Sequence, residues 1–527
     1  MSSKNWQDIA AAKREAILAS IPNEYIIPDP PTPEQQRDVT GAFVHQWLSP
    51  REIEITETDA PGIVAKTTAG EWSAVEVTKA FIHRASIAHQ LTKTPLGPLH
   101  GLPVSLKDQF HVRGLDTSMG YIGWLGTFEG HSPHPNYPVT TESALVTHLR
   151  ALGAVIYVKT AVPHTLMCGE TVNNIIGYVR SPTNRLLSAG GSSGGEGALI
   201  ALKGSPCGFG TDIGGSIRIP AAFNGLYGLR PATGRLPYEG MATSMDGQNS
   251  VLSVVGPLAG SVGGLRLLAA AVLSTHPWLT DPKVHELPWR AAKEAEGAKT
   301  KLTFGVLRDD GVVRVTPPVA RALDVAVDAL RAAGHSVVEW TPPTPHADLL
   351  DCCARTWTYD GGRDTIAAFA LSGEPQTDHV MMPWPDPLGD EATASAIAAN
   401  NVRQRRLQKA YLDGWNATGI DAIIAPVAPF PAARPKLYKY YGYSMWVNLL
   451  DYTSVVLPVT AASKDVDLPA GADFEPRSEL DKVTQDSYDP DVYDGAPVAL
   501  QFVGRRLEEE KMLKIAEVVD GLLRNKN

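Results

Sequence analysis

Gly-Gly-Ser-Ser-Gly-Gly-Glu at residues 190–196 and Gly-Phe-Gly-Thr-Asp-Ile-Gly-Gly-Ser at residues 208–216 decide how this chain folds and what it does. Both stretches are too rich in glycine and serine to form the interior of a helix or a strand. Such a density indicates either backbone that approaches a ligand closely or torsion angles that only glycine tolerates. The sequence therefore predicts two tight loops in this region.

Four interpretations of the two loops compete. They are turns without chemistry, a phosphate-binding cradle, an α/β-hydrolase turn with Ser193 as nucleophile, and a serine hydrolase site with a lysine base. The cradle is disfavoured because neither Lys-Ser nor Lys-Thr follows the glycines. The α/β-hydrolase turn needs a buried strand before it, whereas residues 181–185 read Ser-Pro-Thr-Asn-Arg, which is typical of a turn.

The fourth interpretation fits the chemistry of residues 213–216. A serine hydroxyl is a weak nucleophile and needs a base. The oxyanion that develops when an amide is attacked needs donors that are already in place. Residues 213–216 offer consecutive backbone N–H groups that end at a serine, and the glycines allow the turn to tighten. Spacing alone does not show which lysine reaches this loop.

These motifs resemble the hallmark of the amidase-signature family. The hallmark here is Gly-Gly-Ser-Ser-Gly-Gly followed by Gly-Thr-Asp-Ile-Gly-Gly-Ser-Ile-Arg-Ile-Pro-Ala at residues 210–221. Further matching pieces are Gly-Leu-Pro-Val-Ser-Leu-Lys-Asp at 101–108, Asn-Gly-Leu-Tyr-Gly-Leu-Arg-Pro at 224–231 and Gly-Ala-Pro-Val at 495–498. Within the family the chain looks most similar to fungal acetamidase-like enzymes and is similar, more distantly, to fatty-acid amide hydrolase.

The resemblance implies a Ser-Ser-Lys catalytic triad. Ser216 would be the nucleophile that carries the acyl ester, and Lys107 would be the base. Ser192, which follows a non-proline cis peptide bond in the family, would link the two. To act as a base Lys107 must be neutral, a state that burial of an amine favours. The resemblance implies no metal and no organic cofactor.

The family pattern also assigns roles around the triad. The implied binding residues are Ile213, Gly214, Gly215 and Ser216, whose backbone N–H groups would form an oxyanion hole, and Ser192. Leu166, which precedes the loop, is a candidate for the pocket wall. The implied supporting residues are Ser193, with a hydroxyl bonded within the loop, and Asp212 and Arg218, interpreted as structural more than catalytic. For Leu166, ordinary core packing is an equally good interpretation.

Hydrophobic periodicity predicts an α/β fold. Residues 103–106 read as a strand that leads into Lys107, and residues 141–152 read as a helix that ends at Gly153, followed by a buried strand over 154–158. The order helix, glycine, strand recurs over 319–340. The resemblance implies the amidase-signature fold, a large mixed central sheet covered by helices on both faces.

The chain is predicted to form one continuous catalytic unit. Residues 1–92 are expected to be an N-terminal helical region, which begins with an amphipathic helix over 1–21, and residues 93–527 to be the amidase-signature α/β domain. The acidic stretch over 465–494 lacks apolar periodicity and is predicted to be a surface loop.

Composition excludes several classes of protein. The chain has 527 residues, 43% of them hydrophobic, and a net charge of −10, which argues against a nucleic-acid partner. The four cysteines form no CxxC pair, so a disulfide framework or a zinc site is not expected. No apolar run is long enough to span a bilayer, and we expect a cytoplasmic protein. The oligomeric state is open, a homodimer being the commonest closed assembly.

The sequence therefore predicts a serine amidase that hydrolyses a small carboxamide to a carboxylic acid and ammonia or an amine. Alternatives are an esterase or aryl acylamidase on the same triad, and a non-hydrolytic amidotransferase-type subunit. An inactive relative is suggested only by the direct connection at residues 92–95, where relatives carry a further strand and helix. Residues 177–182 also depart from the family pattern, and they are expected to shape the pocket.

Overall fold

The computed structural model describes residues 35–37, 48–81, 97–377, 389–469, 471 and 474–524. The helix expected over 1–21 and the connection at 92–95 lie outside these ranges. Within the N-terminal part the structure has α1 (Pro50–Glu57), α2 (Ala60–Thr68) and α3 (Ala74–Phe81). Buried side chains of α1 and α2 belong to the main hydrophobic core. The boundary between 1–92 and 93–527 stays a prediction.

In the described part of the chain, ten strands form one mixed sheet, and two more form a separate hairpin. In chain order the strands are β1 (Pro103–Lys107), β2 (Val155–Thr160), β3 (Val172–Asn173), β4 (Gly177–Tyr178), β5 (Cys207–Asp212), β6 (Tyr227–Arg230), β7 (Val254–Ala259), β8 (Thr303–Val306), β9 (Ser336–Glu339), β10 (Ala422–Pro426), β11 (Ser454–Ala461) and β12 (Pro497–Val503). The order across the large sheet is β2-β1-β5-β7-β6-β11-β12-β10-β8-β9, and β3 pairs with β4.

Helices pack against the sheet in two layers. The remaining helices are α4 (Ala144–Ala151), α5 (Gly194–Ala201), α6 (Arg218–Phe223), α7 (Val262–Ser274), α8 (Ala291–Glu296), α9 (Pro317–Ala332), α10 (His346–Arg355), α11 (Arg363–Ala370), α12 (Ala394–Thr418), α13 (Gly442–Leu450), α14 (Glu479–Asp486), α15 (Pro490–Tyr493) and α16 (Glu509–Arg524). Helices α7, α8 and α9 each contact α16 in one layer. In the other layer α5 contacts α6, and α10 contacts α12 and α13. The predicted mixed sheet with helices on both faces is confirmed.

Two details differ from the sequence predictions. Strand β2 was expected to be buried, but most of its residues are only partly buried because it lies at the end of the sheet. The prediction of a surface loop over 465–494 is wrong, since α14 and α15 lie within it. Asp467 and Asp481 in this stretch are buried, so part of its negative charge serves folding instead of solvation.

The site lies at the carboxyl ends of β1 and β5. These two strands are parallel neighbours, with Ser105 opposite Gly208 and Leu106 opposite Phe209. Because parallel strands end at the same edge of a sheet, Lys107 at the end of β1 comes close to Thr211 and Asp212 at the end of β5. None of the described helices is long and apolar enough to cross a membrane.

Candidate active site

Lys107 contacts two hydroxyl groups at the end of β1. Its Nζ lies 2.7 Å from Ser192 Oγ and 2.7 Å from Thr211 Oγ1. The peptide bond between Gly191 and Ser192 is cis. Residues 107 and 192 stand 85 positions apart in the chain, so this contact is a product of the fold. The structure brings together the base and the linking hydroxyl that the resemblance implies.

Burial sets the charge of the Lys107 amine. The side chain is fully buried, and loss of hydration lowers the pKa of Lys107 to about 7. The carboxylates of Asp212 and Glu196 act in the opposite direction and limit the fall in this pKa. A substantial fraction of the amine is therefore neutral near neutral pH, which is the form that accepts a proton.

Glu196 is a site residue that sequence reasoning missed. It lies in the first turn of α5, fully buried, and accepts hydrogen bonds from Ser105 Oγ at 2.6 Å and Thr160 Oγ1 at 2.7 Å. Burial raises the pKa of Glu196 to about 7, although its two hydrogen bonds and the charge of Lys107 act to lower this pKa. A Cβ at position 208 would lie 2.0 Å from Glu196 Oε2, so only glycine fits there. The sequence signal that could have pointed to this residue is its position directly after six glycines and serines at 190–195.

The loop that carries Ser216 is held by Asp212. The Asp212 carboxylate accepts the backbone N–H of Gly215 at 2.9 Å and that of Ile217 at 3.2 Å. Gly215 has φ +127°, a conformation that side chains rarely adopt, and an added Cβ would lie 2.7 Å from Ile219 and Ser444. The glycines predicted to tighten this turn are therefore required by it.

Arg218 anchors Asp212 from the first turn of α6. Its Nε and Nη2 each lie 3.0 Å from an Asp212 oxygen, and both side chains are fully buried. Burial alone would raise the pKa of Asp212, because it disfavours the charged carboxylate. The Arg218 guanidinium has the larger effect and holds the pKa of Asp212 well below its usual range. Arg218 Nη1 also donates to Ser444 O and Gln501 Oε1 at 2.9 Å each. These contacts place Asp212 and Arg218 beneath the loop as supports.

The Ser216 loop leaves backbone donors free. The N–H of Gly215 already donates to Asp212 Oδ1, so it serves the loop itself. Among the described residues, the N–H groups of Ile213, Gly214 and Ser216 meet no hydrogen-bond acceptor. The Ser216 hydroxyl likewise has no partner among them, and the backbone C=O of Ser216 accepts the Ser193 N–H at 3.2 Å.

A cavity opens over these groups. Ser192, Thr211, Ile213 and Ser216 line it, and its empty space, including the part open to solvent, is about 550 Å³. Leu166, with φ +62°, is in its wall. No lysine, arginine, histidine, aspartate or glutamate is among the described residues that line it. The cavity therefore suits a neutral molecule.

Other residues considered in the sequence lie elsewhere. Residues 177–182, expected to shape the pocket, do not line the cavity. The Ser193 hydroxyl, expected to bond within the loop, is buried without a partner among the described residues. Among those residues no cluster of three or more His, Cys, Asp or Glu side chains is placed to hold a metal ion.

Gln109 and Thr211 are further site residues that the sequence did not reveal. Thr211 Oγ1, beside Lys107, lies 2.7 Å from Gln109 Oε1, and Gln109 Nε2 lies 2.8 Å from Tyr238 OH. All three side chains line the cavity. Thr211 stands next to Asp212 in the hallmark motif and Gln109 two positions after Lys107, but neither spacing shows that they meet.

Comparison with known proteins finds relatives over nearly the whole chain. A family model described as Amidase matches residues 65–513. The chain is 45% identical to the acetamidase of Aspergillus oryzae, covering 99% of this chain and 100% of the relative, and 44% identical to that of Emericella nidulans, covering 99% of each. A solved structure of fatty acid amide hydrolase superposes with a TM-score of 0.90 at 32% identity, covering 99% of this chain and 95% of the other. A bacterial aryl acylamidase, at 20% identity, shares the fold with a TM-score of 0.67, covering 88% of this chain and 96% of the other.

Proposed function

This chain belongs to the amidase-signature family and is an amide-hydrolysing enzyme, and on that premise we propose that it is a serine amidase acting on small neutral carboxamides through an acyl-enzyme on Ser216. The observation that carries the proposal is the contact of the buried Lys107 amine with the Ser192 hydroxyl, 2.7 Å away, in the wall of a cavity that also contains Ser216. A buried amine of lowered pKa beside a serine is the arrangement that activates a hydroxyl nucleophile.

In the first half of the reaction a proton moves inward. The neutral Lys107 amine takes the proton of the Ser192 hydroxyl while Ser192 takes that of Ser216. Ser216 Oγ forms a bond to the carbonyl carbon of the substrate, and the carbonyl oxygen becomes an oxyanion. The free N–H groups of Ile213, Gly214 and Ser216 are the donors that we assign to this oxyanion.

In the second half the same path runs outward. The proton held by Lys107 returns through Ser192 to the nitrogen of the substrate, the C–N bond breaks, and ammonia or an amine leaves. Water then attacks the carbonyl carbon of the Ser216 ester and gives a proton to the same chain. The bond between that carbon and Ser216 Oγ breaks, Ser216 Oγ takes the proton back, and the carboxylic acid is released. Oxygen, nitrogen and protons balance, because one water is consumed for each amide bond broken.

Two features support a small and neutral substrate. The wall of the cavity combines hydroxyl groups, such as those of Thr243, Ser244 and Thr365, with the apolar side chains of Leu166 and Trp357. A charged substrate would find no opposite charge there, and its desolvation would be costly. The relatives at 45% and 44% identity are named acetamidases, which makes acetamide the first substrate to test.

The test measures the ammonia released from acetamide and from longer aliphatic amides. Turnover of acetanilide, as the aryl acylamidase substrate, and of an aryl acetate, as the esterase substrate, is measured for comparison. We expect the highest kcat/KM for a short aliphatic amide. Ser216→Ala should lower kcat by about 10³-fold or more at unchanged fold. Ser274→Ala, an exposed serine on α7 outside the cavity wall, is the matched control and should retain full activity.

Three results would reject parts of this proposal. Faster turnover of the ester or anilide than of any aliphatic amide would favour the esterase or aryl acylamidase. Ammonia release only with glutamine and a co-purified second chain would favour an amidotransferase-type subunit. Full activity of Ser216→Ala would remove the serine mechanism.

We also propose a cytoplasmic homodimer. All four cysteines are buried thiols that form no disulfide, as expected of a protein from a reducing compartment. Light scattering of the purified protein should give twice the mass of 56.5 kDa for a dimer, and the monomer mass would reject it.

A further inference from the structure

Four side chains form a hydrogen-bonded chain that ends on the proposed base. It runs from Tyr238 through Gln109 and Thr211 to Lys107, with separations of 2.8, 2.7 and 2.7 Å. Gln109 is 1% exposed and Thr211 is 2% exposed, so bulk water does not compete for these bonds. The proposed mechanism uses only Lys107, and it leaves the other three side chains without a role.

The direction of each bond follows from the groups available. The Gln109 amide nitrogen faces Tyr238 and can only donate, so its carbonyl oxygen faces Thr211 and can only accept. The Thr211 hydroxyl has one proton, which it gives to Gln109. Toward Lys107, therefore, Thr211 can only accept, and an N–H of the amine must point at it.

This direction matters because a neutral amine has a single lone pair. If the lone pair of Lys107 accepted the Thr211 hydroxyl proton, the amine would turn an N–H toward Ser192 and could not take its proton. With Thr211 committed to Gln109, the lone pair is excluded from that bond and is left for Ser192, 2.7 Å away. The carboxamide of Gln109 thus selects the productive orientation from two that the hydroxyl alone would allow.

We propose that Gln109 is a positioning residue, whose carboxamide fixes the direction of the Thr211 hydroxyl and thereby keeps the Lys107 lone pair directed at Ser192. The inference rests on the proposed function, because a lone pair directed at Ser192 matters only if Lys107 acts as the base. The charged or titratable groups that face the chain are Asp212 from β5, Glu196 from α5 and Tyr238 at its outer end. All three remain unchanged in the variants below.

The test compares Gln109→Met with Gln109→Glu. Methionine has a similar length and no strong acceptor, so the Thr211 hydroxyl is free to donate to the Lys107 lone pair. We expect the maximal kcat/KM of Gln109→Met to fall about 10- to 100-fold. Because a bond to the lone pair stabilises the neutral amine, the pKa of Lys107 falls, and the pH below which kcat/KM declines moves to a lower value.

Gln109→Glu should behave differently. A carboxylate still accepts the Thr211 proton, so most of the maximal kcat/KM is expected to remain. Its negative charge favours the ammonium form, which raises the pKa of Lys107 and moves the decline in kcat/KM to higher pH. A residue that merely filled space would lose activity in both variants, and Gln109→Met would leave the pH profile unshifted.

Two further measurements separate this role from others. In a Thr211→Val background the chain is already broken, so adding Gln109→Met should cause no further loss of kcat/KM, whereas additive losses would overturn the proposal. Titration of Lys107 by NMR of Cε-labelled lysine, assigned with Lys107→Met, reads the pKa without turnover. An unchanged Lys107 titration in both Gln109 variants would also overturn it. A wild-type enzyme without Ser216-dependent hydrolysis would instead overturn the proposed function.

Discussion

Lys107 is the residue whose protonation controls the proposed chemistry. Only its neutral amine accepts a proton, and its pKa is lowered to about 7 by burial, with Asp212 and Glu196 acting in the opposite direction. Below this pKa the ammonium form dominates. We therefore expect kcat/KM for acetamide to fall about tenfold for each pH unit below about 7, measured in buffers of constant ionic strength.

The charge of Glu196 is a second control on the same profile. Because its carboxylate favours the ammonium form of Lys107, Glu196→Gln should lower the pKa of Lys107. The decline of kcat/KM then moves to lower pH, and the pH-rate profile of the variant measures the shift. Glu374→Gln is the matched control, since Glu374 is a buried carboxylate that is not among the causes of the Lys107 shift. A profile that moved to higher pH in Glu196→Gln, or moved equally in the control, would contradict this electrostatic role.

At the same scale the sequence revealed the reacting groups but not their partners. Lys107, Ser192 and Ser216 stand in motifs that are recognisable one segment at a time. Glu196 meets Ser105 across 91 positions, and Gln109 meets Thr211 across 102. Such contacts exist only after β1, β5 and α5 have packed together, so no local sequence pattern predicts them.

At the scale of elements, acidic side chains hold segments that look solvent-exposed in the sequence. Asp481 is buried in the first turn of α14, and its carboxylate accepts the backbone N–H of Arg314 at 2.8 Å and that of Arg477 at 2.9 Å. Asp467 likewise forms a pair with Arg321. Hydropathy counts such residues as polar surface, which is why the stretch over 465–494 was predicted to be a loop.

Asp481→Ala tests this interpretation. The substitution leaves two backbone donors without an acceptor, and we expect the free energy of unfolding to fall by about 1–3 kcal/mol. Asp486→Ala, in the last turn of the same helix, removes only an exposed pair with Lys482 and should cost less than about 0.5 kcal/mol. Urea unfolding followed by tryptophan fluorescence compares the two, and equal costs would contradict the assignment.

At the scale of the whole molecule, Arg218 joins parts of the chain that are far apart. Its guanidinium binds Asp212 at the end of β5, Ser444 and Asn448 on α13, and Gln501 on β12, the last 283 positions away. These elements lie on both sides of the centre of the sheet. The α/β fold is predicted from local periodicity and its mixed sheet from the resemblance. These contacts of Arg218 are not predictable in the same way, because they depend on the order of the strands in the sheet.

Arg218→Lys tests how much these contacts of Arg218 contribute to stability. Lysine keeps the charge but cannot satisfy all the acceptors at once, and buried acceptors without donors are costly. We expect a loss of about 2–5 kcal/mol in the free energy of unfolding. Arg266→Lys is the matched control, because Arg266 also binds a carboxylate, that of Glu294, with two nitrogens but at the surface. It should cost less than about 1 kcal/mol, and similar midpoints for both variants in thermal unfolding would contradict the prediction.

Labelling with a fluorophosphonate, read by intact mass and peptide mapping, addresses the activated serine most directly. The wild-type protein should acquire a single adduct on Ser216. Ser216→Ala should acquire none, Lys107→Met should react far more slowly, and Ser274→Ala should react as the wild type does. A folded wild-type protein that stays unlabelled, or an adduct that persists in Ser216→Ala, would contradict the assignment of Ser216 as the nucleophile and Lys107 as its base.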